Sequence, residues 1–198
     1  MNTNIRTYGL IASLLIFLLL AFINSDDGLM YFDQEIRNFA LSKSNSKIES
    51  IMLLISKPGT LSGILTTSLV LSISTFLRFN WKSALIPLTI IPFVAINEVI
   101  KLLIRRPRPD DLQDFGFPSS HAFETMLVMG FIWFIFNKKN EPNKNSNRII
   151  LGIMLLWCIV IGISGIYLDR HWFTDVIGGY ALGIPIIFFI GLLFSKAK

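Results

Sequence analysis

Residues 149–168 read IILGIMLLWCIVIGISGIYL, twenty positions without a charged side chain. A hydrocarbon core about 30 Å thick is crossed by about 20 apolar residues in an α-helix, so this stretch sets the expected fold class. Working outward, uncharged runs occur at 7–25, 59–77, 83–97 and 176–194. The 83–97 run continues in an apolar pattern through Glu98 and Lys101 to Ile104, and 122–136 is apolar except for Glu124. In lipid every backbone N–H and C=O must be satisfied within the protein, and runs this uniform do not alternate as barrel strands do. The expectation is an all-α polytopic membrane protein, a six-transmembrane-helix bundle forming a single domain over 1–198.

Composition agrees. Of 198 residues, 53% are hydrophobic and 16% charged, with mean hydropathy +0.61. Soluble domains carry about 25% charged residues, so a water-soluble globule is excluded, and so apolar a chain does not stay disordered. A single cysteine, Cys158, rules out an internal disulfide framework and a Cys-rich zinc site. The net charge of +5 sits in short clusters between apolar runs, the pattern of basic membrane loops rather than of a nucleic-acid surface. The first run ends Ala21-Phe22-Ile23-Asn24 without a small-x-small cleavage site, so it reads as a retained helix rather than a signal peptide. In the polar stretch 26–57, Tyr31, Phe32, Ile36, Phe39 and Ala40 have helical spacing with Asp33, Glu35 and Arg37 between them. That pattern suits an interfacial amphipathic helix after the first span, or a short helix packed on the bundle rim. Residues 138–148 read as a solvated loop. Basic residues divide evenly between the two sides, but the inner loops are almost free of acid, which favours termini inside.

Three charged clusters fall at predicted helix ends, and alternating spans bring all three to one membrane face. In the first, Lys101 and Arg105 lie four apart on one helix face, while Pro107 and Pro109 stop the helix and stiffen the turn carrying Arg106 and Arg108. Guanidinium groups grip phosphate oxygens in bidentate fashion, so a cationic rim suits a polyanion, or an anionic headgroup. The second, Pro118-Ser119-Ser120-His121, has the form of a helix start, where serines cap and backbone N–H groups bind anions. The third runs from Ser164-Gly165 to Asp169-Arg170-His171 and Asp175. At four-residue spacing a carboxylate can orient an imidazole and leave its other nitrogen outward, as for a nucleophilic or basic histidine. His121 and His171 are the only histidines in the chain. Two imidazoles with several cations suit phosphoryl transfer. Zinc on His121, His171, Asp175 and Glu124 is the competing use, disfavoured because the cations would repel it.

Taken together the motifs resemble those of the type 2 phosphatidic acid phosphatase family. Its Lys-x6-Arg-Pro fits Lys101 with Arg108-Pro109, its Pro-Ser-Gly-His fits Pro118 to His121 with Ser120 for Gly, and its Ser-Arg-x5-His-x3-Asp fits Ser164, His171 and Asp175 with Gly165 for Arg. The resemblance implies a lipid phosphatase needing neither metal nor cofactor. His171 would attack phosphorus and form a phosphohistidine, Asp175 would orient it, and His121 would protonate the leaving oxygen. Lys101, Arg108, Ser119 and the backbone at Ser120 would hold the phosphoryl group. Losing an electrostatic donor at Gly165 costs about 3 kcal/mol, which Arg170, Arg105 or Arg106 could restore. Glu124, three residues beyond His121, is expected to pair with one of these arginines, to raise the basicity of His121, or to make an inward-facing contact between helices. An i,i+3 pair with Lys101 is expected for Glu98.

The expected substrate is an amphiphilic lipid phosphate entering sideways from the bilayer: polyprenyl diphosphate, phosphatidylglycerol phosphate or phosphatidic acid, the first favoured slightly by an outward-facing site. The alternatives are a catalytically weakened lipid-phosphate binding or transport protein, for which Gly165 speaks, and a lipid phosphotransferase. Abundant Ile, Asn and Lys with short loops suggest a bacterial plasma membrane. No oligomeric state follows from the sequence.

Overall fold

Helix starts follow local capping chemistry. Asn45 Oδ1 accepts from the Ile48 amide at 3.0 Å, Thr60 Oγ1 from Gly63 at 3.3 Å, and Asn80 Oδ1 from Ser83 at 2.8 Å, each satisfying a donor that the first turn leaves unpaired. The computed structural model describes residues 3–23, 27–110, 114–137 and 144–196. In order these form α1 Thr3–Phe22, α2 Asp27–Ser42, α3 Ser46–Ser56, α4 Leu61–Arg78, α5 Trp81–Ala84, α6 Ile90–Ile104, α7 Ser120–Asn137, α8 Lys144–Tyr167 and α9 Phe173–Lys196. Short 3₁₀ turns at Lys57–Gly59 and Pro87–Thr89 lead into α4 and α6. Among the described residues there is no strand, only an isolated bridge between Pro107 and Phe115.

Among the described residues four segments are long and apolar enough to cross a membrane: Leu61–Arg78, Trp81–Ile104, Asn147–Tyr167 and Phe173–Leu193. Thr7–Phe22 and Ser120–Ile135 are apolar but shorter. The first half of the loop expected at 138–148 lies outside the described residues.

α7 occupies the centre. Its Phe123, Leu127 and Phe131 are fully buried and pack with Ile64 and Leu71 of α4, Ile90 of α6 and Ile190 of α9. A second cluster joins Phe17 of α1 and Ala181 of α9 to Phe117, whose ring stacks on Phe17 at 5.8 Å. Elsewhere large apolar side chains point outward, among them Leu15, Leu69, Leu103 and Ile153, as on helices whose solvent is lipid. α9 approaches α7 closely because of Gly179, where a Cβ would lie 2.6 Å from the Ser119 carbonyl oxygen. That small-residue contact is extended by the Ser119 amide, which donates to Asp175 O at 3.0 Å. The starts of α7 and α9 are therefore stitched together.

α2 packs its charged side inward, against α8 and α9. Asp33 is buried, while Tyr31, Phe32 and Phe39 are exposed. The helix sits on the bundle rim with its aromatic face outward, the reverse of a polar face turned to water.

Candidate active site

α6 ends in a left-handed residue, Arg105 (φ 58°), whose amide donates to Lys101 O at 2.8 Å. This αL cap releases the chain into Pro107–Pro109 and leaves Lys101 in the last turn, facing inward. Lys101 Nζ donates to Glu98 Oε1 at 2.9 Å, the expected i,i+3 pair. The same oxygen accepts from Ser120 Oγ at 2.8 Å, and Ser120 Oγ accepts from Asn97 Nδ2 at 3.1 Å. The serine standing where the family motif has glycine therefore ties α7 to α6 and steadies Lys101 through Glu98. Its hydroxyl is taken up by Glu98 and Asn97, which leaves the backbone amide, the group expected to meet the phosphoryl oxygens.

The two histidines meet. Their ring centroids are 6.4 Å apart and the planes are tilted by 57°. Lys101 and Arg108 act electrostatically on both rings, and Arg170 on His121. His121 Nε2 has no hydrogen-bond partner. The His121 ring rests directly on Gly59, where any Cβ would overlap it. Ser119 is buried, and its hydroxyl accepts from the Ala122 amide at 3.4 Å, capping α7.

His171 is buried in the turn between α8 and α9. Its Nδ1 faces Gly116 O at 3.1 Å, whereas Asp175 Oδ2 stands farther off, at 3.7 Å. An N–H at Nδ1 donates to that carbonyl and leaves Nε2 with its lone pair. Burial pushes the imidazole below its ordinary pKa, although Asp175 acts the other way. Asp175 Oδ2 accepts from the Trp172 amide at 3.0 Å, and Oδ1 from Arg106 at 2.5 Å. Gly116 must lack a side chain, since a Cβ would lie 2.6 Å from Asp175 Oδ2.

Arg106 differs from its expected place among the substrate-binding cations. It is buried, with one amino nitrogen on Asp175 and Thr174 and the other on Asp33. Two carboxylates and the Thr174 hydroxyl take both of its amino nitrogens, so it serves the scaffold. Arg105 is exposed, and its Nε donates to Leu102 O. Arg170 is half-buried, and its guanidinium has no hydrogen-bond or ion-pair partner among the described residues. Arg108 donates to Asp114 at 2.8 Å, and its Nε is buried without a partner. Glu124 is buried and pairs with none of the three arginines, and its Oε2 is unpartnered. Gly165 lies against His171, with room for a Cβ at 3.6 Å from His171 Cδ2.

Sequence reasoning missed Gly59, Gly116, Asp33 and Thr174. Asp33 and Arg37, opposite charges one turn apart on the amphipathic helix, were the available signal. The glycines carry no pattern of their own.

The chain is similar to known proteins. The model of the PAP2 superfamily matches residues 82–198. Phosphatidylglycerophosphatase B of Bacillus subtilis is 28% identical, over 96% of this chain and 97% of the relative. A dihydrosphingosine 1-phosphate phosphatase of Schizosaccharomyces pombe is 30% identical over 38% of this chain and 19% of its own length. The crystal structure of a transmembrane PAP2-type phosphatidylglycerolphosphate phosphatase from Bacillus subtilis superposes with a TM-score of 0.87 at 26% identity, covering 96% of this chain and 98% of that one.

Proposed function

The chain belongs to the PAP2 superfamily and dephosphorylates a membrane lipid phosphate, and from that premise we propose a two-step reaction through phosphohistidine. His171 Nε2 attacks phosphorus while the bond to the leaving lipid oxygen breaks, and His121 supplies that oxygen with a proton. Water then attacks phosphorus as the bond to His171 Nε2 breaks, His121 takes the water's proton, and phosphate leaves. Lys101, Arg108, Ser119 and the Ser120 amide hold the phosphoryl oxygens, with Arg170 supplying the guanidinium absent at Gly165. Donors already in place where charge develops need no reorganisation. The reaction requires no metal ion.

The observation that carries this reading is the meeting of the two imidazoles, 6.4 Å apart by ring centroid, beside Lys101 and Arg108. Phosphatidylglycerol phosphate is the first candidate substrate, since the full-length similarity is to an enzyme named for it. Polyprenyl diphosphate and phosphatidic acid complete the panel. The bundle crosses a bacterial plasma membrane six times, with α1 and α7 as the two shorter spans, α2 at the interface and the site on the outer face.

Phosphate release from this panel in detergent, with chelator present, tests the mechanism. Release should survive chelation, and His171→Ala should reduce it by at least about a thousandfold. Loss of activity with chelator, or an active His171→Ala protein, overturns the proposal.

A further inference from the structure

Four buried groups lie behind the nucleophile, and the chemistry above uses one of them. Asp33 Oδ2 accepts from Arg106 at 2.5 Å and from Thr174 Oγ1 at 2.5 Å, while Asp33 Oδ1 accepts from the Thr174 amide at 3.0 Å. Arg106 in turn donates to Thr174 Oγ1 at 2.6 Å and to Asp175 Oδ1 at 2.5 Å. The side chains of Asp33, Arg106 and Asp175 are at most 2% exposed. Asp33, from α2, thus caps the first turn of α9 in trans and sets the guanidinium that sets Asp175.

The same face of α2 grips the turn a second time. Arg37, four residues on, holds both oxygens of Asp169 at 2.6 and 2.7 Å, and Asp169 has left-handed backbone (φ 58°). Trp172 lies between, with the guanidinium carbons of Arg37 and Arg106 each 5.8 Å from its ring, and its indole N–H donates to Pro107 O at 2.9 Å. His171 is therefore flanked in sequence by residues that α2 fixes.

We propose that Asp33 and Thr174 are positioning residues for the nucleophile: through Arg106 they hold Asp175 and the His171 turn in register with the phosphoryl site, so that α2, outside the segment matched by the family model, is part of the catalytic apparatus. This rests on His171 as nucleophile. Two carboxylates against one guanidinium leave a net negative charge behind the imidazole, which favours the cationic character it acquires on attack. The charged groups facing His171 are Asp175, Arg108, Lys101 and the His121 ring, with Arg106 and Asp33 behind Asp175.

The test compares Asp33→Asn, Thr174→Val and Thr174→Ser with the parent protein, as purified full-length chains in detergent that elute as a single species. Asp33→Asn and Thr174→Val should lower kcat by about tenfold to a hundredfold with KM changed less than about threefold. In Asp33→Asn the acid limb of kcat/KM should move to lower pH, because removing a negative charge disfavours the imidazolium. Thr174→Ser, which keeps the hydroxyl, should recover most of the turnover. Unchanged kcat and acid limb in Asp33→Asn overturn the proposal, as does a Thr174→Ser protein no better than Thr174→Val. If Asp33→Asn does not fold, the threonine pair decides. An inactive His171→Ala beside unaffected Asp33 and Thr174 variants sinks this inference alone, whereas an active His171→Ala sinks the mechanism on which it rests.

Discussion

Gly165 stands in the turn that carries His171. The carbonyl of Gly165 accepts from the amides of Arg170 at 3.0 Å and His171 at 3.3 Å, so the residue closes the turn that presents the nucleophile. Among the candidates for the missing charge, Arg106 is spent on two carboxylates and Arg105 faces outward, which leaves Arg170. Since a Cβ at 165 meets only ordinary contacts with the His171 ring, Gly165→Arg should fold. Its kcat should be equal to or lower than the parent's, because two guanidinium groups would compete for one phosphoryl face. A gain approaching a hundredfold, the worth of one such donor, would show that Arg170 does not fill the role. Steady-state kinetics on the preferred lipid phosphate decide it.

At the level of elements, the site depends on pieces that carry no chemistry. The 3₁₀ turn Lys57–Gly59 exists to let α3 turn into α4, with Pro58 fixing φ at its start. Its Gly59 forms the floor beneath His121, so Gly59→Ala must push the ring or the turn aside. Misplacement by about 1 Å costs about a hundredfold in rate. We therefore expect Gly59→Ala to lose about that much kcat while its thermal unfolding midpoint falls by only a few degrees. Retained turnover would mean that His121 can move without consequence. The α6–α7 clasp through Asn97, Glu98 and Ser120 is of the same kind, since a hydroxyl at a helix start fixes a cation one turn away on another helix.

For the whole molecule, the prediction concerns sidedness. The proposed six spans would place both termini on one side and the α2–α3 region with the site on the other. Cys158 is the single cysteine and is buried, so its replacement by Ala gives a cysteine-free background. A single cysteine introduced at Lys43 should react with an impermeant maleimide added outside intact cells, and one at Lys82 should react only after the membrane is opened. The opposite labelling would invert the topology and place the site on the inner face. The exposed aromatic face of α2 belongs to the same picture, since Tyr31, Phe32 and Phe39 turn toward the boundary while Asp33 and Arg37 turn toward the nucleophile.

The run at 149–168, with its apolar companions, determined by itself that this is a helical membrane protein, because the energetics of unsatisfied backbone in lipid depend on composition and length alone. The motifs that contain Lys101, Arg108, His121, His171 and Asp175 likewise made the family readable, because each motif is local in sequence. Tertiary structure decided how each cation is engaged. Arg106 and Arg108 look alike along the chain, and only packing gives the first to Asp33 and Asp175 and leaves the second at the site. It also decided what holds the two histidines, since Gly59 under His121 and Gly116 and Asp33 behind His171 act across long stretches of sequence through close contact, and contact between distant residues leaves no periodicity to read.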